Sequence, residues 1–107
     1  MKPAQITEQS DLEAALQADR FLLFKHSLAC PVSAKAFAEY EAFVERRGDF
    51  PTGWIDVVAQ RPWSQWVAGR TGIPHQSPQA LVVRDGKVVW DASHFDITVA
   101  ALEQAVL

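Results

Sequence analysis

The sequence predicts a single α/β domain, residues 1–107, in which helices cover both faces of a mixed four-stranded sheet. The chain has 107 residues, of which 49% are hydrophobic and 21% are charged, and this size and composition fit one folded domain with one core. Short apolar runs alternate with amphipathic stretches along the chain, a pattern typical of α/β proteins. Near the end, Asp85-Gly86 separates two apolar runs and indicates a β-hairpin.

The first half of the chain predicts a helix, a strand and a second helix. Ser10 and Glu13 have the spacing of a capping box, which predicts the start of a short helix. The apolar run 21–24 predicts a strand buried on both faces. Pro31 then predicts the first position of a longer helix, which we expect to end at Gly48.

The second half predicts another strand and helix before the hairpin. Residues 54–58 predict the second strand, and Pro62 opens a helix that ends near Gly72. The hairpin strands are expected at residues 80–83 and 87–90.

A last helix is predicted after Ser93, which forms a second capping-box pattern with Asp96. The order of elements is therefore α-β-α-β-α-β-β-α. Two βα crossovers imply a parallel pair of strands, and the hairpin adds antiparallel strands to the same sheet. This order predicts a thioredoxin-like fold.

Composition narrows the classes of function. The formal net charge of −3 predicts no basic field that would attract nucleic acid. No apolar run approaches the roughly 20 residues that span a bilayer, and residues 1–13 lack the apolar core of a signal peptide. We therefore expect a cytoplasmic protein without membrane contact. The chain has one cysteine and three histidines, with no spacing typical of a metal site.

Cys30 is the candidate nucleophile. It lies between a buried strand and a helix whose first residue is Pro31, so it is expected to be the N-cap of that helix. Backbone N–H groups and the positive end of the helix dipole favour a thiolate there, which is the attacking species in disulfide exchange. Lys25 and His26 precede it closely, and we expect them to add positive potential.

Ser33 stands three residues after Cys30, where a dithiol oxidoreductase would have its second cysteine. Because the chain has no other cysteine, an internal disulfide is impossible. Cys30 is therefore expected to form mixed disulfides that an external thiol resolves, with Ser33 as a possible hydrogen-bond donor to the thiolate. The competing interpretation is that Cys30 is a small buried hydrophobic residue.

Ser77-Pro78 is the second candidate element, since the predicted topology brings it close to Cys30. A cis bond here would expose the backbone of Ser77 for strand-like pairing with an extended thiol substrate. The alternative is a trans proline that simply begins a strand.

Three segments of the chain, in the same order, resemble the monothiol bacilliredoxins, thioredoxin-like proteins of the bacillithiol system. The segments are Phe24-Lys25-His26-Ser27 with Cys30-Pro31-Val32-Ser33, then residues 72–79, and then Val89-Trp90 with Ser93-His94 through Ile97-Thr98. The chain departs from the family at Leu28-Ala29, where members commonly have a polar pair of the Thr-Arg type.

The resemblance implies an activity. A bacilliredoxin removes bacillithiol from S-bacillithiolated client proteins, so Cys30 would take the bacillithiol and free bacillithiol would regenerate it. A flavin-dependent bacillithiol disulfide reductase would act indirectly, and no metal or bound organic cofactor is implied. By position, Ser93 and His94 match the place where related glutaredoxins hold glutathione, which makes them candidate bacillithiol contacts.

Two other functions remain open from the sequence. One is a glutathione-linked, monothiol glutaredoxin-like protein that reduces mixed disulfides or carries an iron–sulfur cluster. The other is a non-catalytic binding module of thioredoxin fold in which Cys30 is incidental.

Overall fold

The computed structural model describes residues 2–107, and its elements follow the predicted order with one 3₁₀ turn added before the last helix. The elements are α1 Gln9–Gln17, β1 Arg20–His26, α2 Pro31–Arg46, β2 Thr52–Asp56, α3 Arg61–Thr71, β3 Gln79–Arg84, β4 Lys87–Ser93, the 3₁₀ turn His94–Asp96 and α4 Val99–Ala105.

The four strands form one mixed sheet in the order β2-β1-β3-β4. β1 runs parallel to β2 and antiparallel to β3, and β3 runs antiparallel to β4. The carboxyl ends of β1, β2 and β4 therefore lie beside the amino end of β3. In the register, His26 is opposite Asp56, and Gln79 lies between Lys25 and Ser93. We call this end of the sheet the site edge.

Both faces of the sheet carry a packed core, as expected for a sheet with helices on each side. The first core joins the sheet to α2 and α4: Leu22, Phe24, Ala36, Tyr40, Phe43, Val44, Phe50, Ala80, Val82, Ile97, Leu102 and Val106. The second joins it to α1 and α3: Ile6, Leu12, Leu16, Leu23, Ile55, Val67, Leu81 and Val83. Alternate residues of β1 thus belong to different cores, which follows from the two-residue period of a strand.

Tyr40 holds α2 on the sheet. Its ring stacks on Phe24 with 4.7 Å between centroids. The Thr52 hydroxyl donates to the carbonyl of Leu22 at 2.6 Å, so the Tyr40 hydroxyl donates to Thr52 Oγ1, also at 2.6 Å. This chain of hydrogen bonds connects α2 to both parallel strands, and so fixes the helix that begins at Cys30.

The backbone conformation agrees with the sequence prediction at the end of α3 and at the hairpin turn. Gly72 ends α3 with φ of 75°, a left-handed conformation that glycine adopts without steric cost. Asp85 and Gly86 both have positive φ, 51° and 75°, as a two-residue hairpin turn requires.

The predicted capping boxes at Ser10 and Ser93 are wrong. α1 begins at Gln9 with Glu8 as its N-cap, so Ser10 lies inside the helix and forms no capping box. α2 ends at Arg46 with Arg47 as its C-cap, so Gly48 directly follows the cap, where the sequence predicts the stop. The predicted last helix is also interrupted.

The interruption after β4 has a local cause. Ser93 precedes only the 3₁₀ turn and makes no side-chain capping bond. Thr98 is the N-cap of α4 instead, and its side chain accepts a hydrogen bond from Ala101 N at 3.1 Å. A residue with an extended backbone and a hydroxyl group, φ −132° and ψ 160°, satisfies a free donor of the helix and so determines where it starts.

Among residues 2–107, no helix combines the length and hydrophobicity that crossing a bilayer requires.

Replacing Tyr40 by Phe should test the attachment of α2. The stacked ring is retained while the hydroxyl that donates to Thr52 is lost, so we expect the free energy of unfolding to fall by about 1 kcal/mol. Urea denaturation measures this, with an unchanged m-value as the sign that the folded state keeps its compactness. An unchanged midpoint would mean that the hydrogen-bond chain contributes nothing to stability.

Candidate functional site

Cys30 is the N-cap of α2 and Pro31 is the first helical residue, as predicted. Its backbone is extended, with φ of −106° and ψ of 122°, and its side chain is partly exposed. The turn that precedes it is closed by Cys30 N, which donates to Ser27 O at 3.3 Å. The expected hydrogen bond from the first turn to the sulfur is not formed. A neutral thiol is a weak acceptor, whereas a thiolate at the same place is a strong one.

Ser33 is fully buried and joins the helix to the turn before Cys30. Its Oγ accepts a hydrogen bond from Ser27 N at 2.9 Å and lies 2.7 Å from His26 Nδ1. The expected hydrogen bond from Ser33 to the Cys30 sulfur is therefore replaced by bonds to these two residues. Ser33 thus acts on Cys30 indirectly, because it holds the turn that carries the cysteine.

Aromatic rings enclose His26 on the α2 face of the sheet. Its ring stacks on Phe37 with 4.2 Å between centroids and an angle of 16° between planes. Trp54 and Phe24 approach it edge-on or tilted, at 5.4 Å and 5.9 Å. The ring is 6% exposed, so its orientation toward Ser33 is set by packing on three sides.

His26 contributes hydrogen bonding rather than charge. Burial lowers its pKa, and the negative charges of Asp56 and Glu41 oppose that shift only in part. With a pKa below the usual 6.5, the imidazole is neutral at pH 7. The positive potential expected from His26 is therefore absent at neutral pH.

Lys25 lies on the opposite face of the sheet from His26, because successive residues of a strand alternate. Its side chain is fully buried, and its Nζ has no hydrogen-bond partner among the described residues. Burial lowers its pKa to about 8, since the charged form loses its hydration without gaining an ion pair. The structure thus separates two basic residues that are adjacent in sequence.

The segment 72–78 enters the site edge ahead of β3, and its Ser77-Pro78 bond is cis. The buried side chain of Gln79 organises the segment: its Nε2 donates to Pro74 O at 3.1 Å, and its Oε1 accepts from Gln76 N at 3.4 Å. The Ser77 hydroxyl is buried without a hydrogen-bond partner in the described part of the chain.

Ser93 and His94 lie beside this segment. His94 N donates to Pro78 O at 3.1 Å, and His94 has a positive φ of 55° with an exposed side chain. The topology therefore brings all the predicted site residues to one edge of the sheet, although Lys25 faces away from the α2 side.

Sequence reasoning missed three residues of the site. Gln79 had a detectable signal, because a glutamine at the start of a buried strand needs partners. Phe37 and Trp54 had none, since aromatic residues at helix and strand spacing indicate only a core. As for metal binding, residues 2–107 contain no group of three or more His, Cys, Asp or Glu side chains that could hold an ion.

Substitution of Ser33 by Ala removes the acceptor of Ser27 N and the partner of His26 Nδ1. Since His26 loses a buried partner and Ser27 N a part-buried one, we expect a loss of about 1–3 kcal/mol in the free energy of unfolding. Ser10→Ala, on the exposed surface of α1, is the matched control and should stay within about 0.5 kcal/mol of the wild type. Equal effects of the two substitutions in urea denaturation would contradict the role given to Ser33.

The buried Lys25 predicts a pH dependence of stability. Its pKa is about 8 in the folded state and about 10.4 in an unfolded chain, so between these values the unfolded chain binds more protons. Stability should therefore rise as pH increases through 8, by about 1.5 kcal/mol between pH 8 and pH 9.5. Below about pH 7, where Lys25 is protonated in both states, this contribution is constant. Measurements at or below pH 9.5 limit the ionisation of tyrosine in the unfolded chain, where its pKa is about 10.

The Lys25→Met variant isolates the effect, because the other titrating groups are common to both proteins. Urea denaturation at pH 7, 8 and 9.5 should give a difference in unfolding free energy that favours the variant at pH 7 and shrinks as pH rises. Parallel stability curves for the two proteins would show that Lys25 is not the group responsible.

Comparison with solved structures supports a redox protein. One, described as a candidate oxidoreductase with a thioredoxin fold, is 31% identical over 96% of this chain and 92% of its own, with a TM-score of 0.89. Two thioredoxins share the fold. Mitochondrial thioredoxin 3 of Saccharomyces cerevisiae is 13% identical, with a TM-score of 0.72 over 97% of this chain and 92% of its own. A thioredoxin variant of Halobacterium salinarum is 20% identical, with a TM-score of 0.73 over 98% of this chain and 88% of its own.

The family model described as monothiol bacilliredoxin BrxC matches residues 4–102. That match includes the strand, turn and helix that present Cys30, the Ser77-Pro78 segment, and the Ser93-His94 pair. With its single cysteine at the helix N-terminus, the chain belongs to the monothiol bacilliredoxin family.

Proposed function

We propose that this protein removes bacillithiol from S-bacillithiolated client proteins through a mixed disulfide on Cys30. The observation that carries the proposal is the placement of the chain's one cysteine, partly exposed at the start of α2, in a member of the monothiol bacilliredoxin family. Thiol–disulfide oxidoreductase activity follows from that family and fold, and the bacillithiol specificity is the part that we propose.

The proposed reaction has two exchange steps. The Cys30 thiolate attacks the bacillithiol sulfur of the client's mixed disulfide, the sulfur–sulfur bond breaks, and the client leaves as a thiolate. A second bacillithiol thiolate then attacks the bacillithiol sulfur on Cys30, which releases bacillithiol disulfide and restores the Cys30 thiolate. A flavin-dependent bacillithiol disulfide reductase would return that disulfide to two thiols without contacting this protein.

The position of Ser33 supports the use of an external resolving thiol. Ser33 occupies the place of a second cysteine, and its hydroxyl is bound to His26 and Ser27. Because Cys30 has no internal thiol with which to pair, its mixed disulfide persists until a small thiol arrives.

The surface around Cys30 supports a protein client. Three large apolar side chains are strongly exposed at the site edge: Leu28 and Val58 are each 68% exposed, and Phe95 is 65% exposed. They follow β1, β2 and β4, whose carboxyl ends all lie at the site edge. Exposed apolar side chains concentrated in one region are typical of protein-binding surfaces. The departure of Leu28 from the polar residue common in the family adds to this apolar character.

The two proposed substrate contacts lie on either side of Pro78. The backbone of Ser77 would pair with the extended chain of the substrate near its sulfur, and Ser93 with His94 would hold bacillithiol. This assignment is supported by the hydrogen bond that His94 N donates to Pro78 O, which places the two segments together. A cytoplasmic location belongs to the same proposal, since reduced thiols predominate there.

The test follows bacillithiol by intact mass. Reduced protein is mixed with a client that carries one bacillithiol mixed disulfide, and with the same client carrying glutathione. We expect the bacillithiol mass to move to the wild-type protein at least tenfold faster than the glutathione mass does. The Cys30→Ser variant should acquire neither, because the serine hydroxyl is not a nucleophile toward disulfides at neutral pH.

The outcomes separate the alternatives. Faster transfer of glutathione than of bacillithiol would contradict the proposed specificity and indicate a glutathione-linked oxidoreductase. If neither mass reaches Cys30 while the client still binds, the protein is a binding module and the proposal fails.

A further inference from the structure

A second feature of the site edge is a basic cavity beside the end of β1, the strand that leads to Cys30. Its volume is about 370 Å³, and it lies between the end of β2, the start of α3 and the segment before β3. The lining residues are Val57, Val58, Arg61, Ser64, Gln65 and His75. Val57 N donates to His26 O at 2.9 Å, which attaches one wall of the cavity to the strand that leads to Cys30.

The charge of this cavity is opposite to that of the chain. The sequence has 13 acidic and 10 basic residues, yet none of the described side chains that line the cavity is acidic. Arg61 and His75 are both exposed there. The Ser64 hydroxyl donates to Arg61 O at 2.9 Å, so the side chains of Arg61, His75 and Gln65 are the ones that face a ligand.

Lys25 adds a third basic group near the cavity. It is fully buried, and its Nζ has no hydrogen-bond partner among residues 2–107. Partial burial of the ring, followed by the positive charges of Lys25 and Arg61, lowers the pKa of His75. Two of the lining side chains, Arg61 and His75, are thus basic, the charge of Lys25 also acts on His75, and no acidic side chain lines the cavity, so a bound anion would be favoured there.

We propose that this cavity binds a carboxylate group of the low-molecular-weight thiol that Cys30 accepts, an inference that rests on the proposed function. The Arg61 guanidinium offers paired donors that match a carboxylate, and His75 adds a further donor. Lys25 increases the positive potential from below. Val57 and Val58 contact the carbon skeleton next to the carboxylate. The site thereby selects an anionic thiol over a neutral one of the same size.

The binding test needs no redox activity. Succinate is titrated into the reduced full-length protein while NMR follows the His75 ring, with the uncharged 1,4-butanediol as its control. We expect saturable binding of succinate alone and a rise in the pKa of His75. The Arg61→Gln variant should bind succinate about tenfold more weakly, because a charge-assisted pair of hydrogen bonds is lost. Arg70→Gln, at the other end of α3 and outside the cavity, should bind as the wild type does.

A transfer test connects the cavity to Cys30. The same client protein is prepared in two forms. One form carries a mercaptosuccinate mixed disulfide, which has two carboxylates, and the other carries an uncharged thioglycerol mixed disulfide. We expect wild-type protein and Arg70→Gln to accept mercaptosuccinate about tenfold faster than thioglycerol. The Arg61→Gln variant should lose most of that preference.

The two tests distinguish failure of the carboxylate site from failure of the proposed function. Equal transfer of both thiols to Cys30, without saturable succinate binding, would overturn the carboxylate site and leave the proposed function standing. Saturable succinate binding that Arg61→Gln weakens, with no transfer from any disulfide, would support the carboxylate site and contradict the proposed function. Equal weakening of succinate binding by Arg61→Gln and Arg70→Gln would overturn the site, because it would show a general charge effect.

Discussion

β1 is hydrogen-bonded along both sides, parallel to β2 and antiparallel to β3, and this pairing determines where the functional side chains lie. Parallel strands end at the same edge of a sheet, and an antiparallel neighbour begins there. The turn that carries Cys30, the start of α3 and the Ser77-Pro78 segment are therefore neighbours in space although they are far apart in sequence. Antiparallel pairing of β4 with β3 adds Ser93 and His94 to the same edge.

Because side chains alternate along β1, His26 and Lys25 lie on opposite faces of the sheet and have different surroundings. His26 faces α2, where burial lowers its pKa and where aromatic rings and Ser33 hold it in place. Lys25 faces α3, where it is buried without a hydrogen-bond partner in the described chain and contributes positive charge to the region of His75. One residue supports the turn that carries Cys30, and in our proposal the other supports recognition of an anion. A shift of one residue in register would exchange these environments.

Local signals in the sequence were sufficient for the order of elements and for the position of Cys30 at the start of α2. Pro31 after Cys30, Gly72 after α3 and Asp85-Gly86 each have a backbone preference that acts without distant contacts. The capping boxes at Ser10 and Ser93 were wrong because several residues near each helix start can serve as caps, and tertiary packing decides among them. The partners of Ser33, the burial of Lys25 and the Arg61–His75 cavity depend on which elements meet in space, so no local pattern could predict them.

The central claim is that the segments at the site edge act together on a thiol bound to Cys30. The most direct measurement compares backbone amide NMR spectra of the reduced protein and of its Cys30–bacillithiol mixed disulfide. The account predicts that the largest shifts occur in four segments, 27–34, 57–61, 73–78 and 93–96. Shifts confined to residues 27–34 would contradict it, because the bound thiol would then contact only the turn and helix that carry the cysteine.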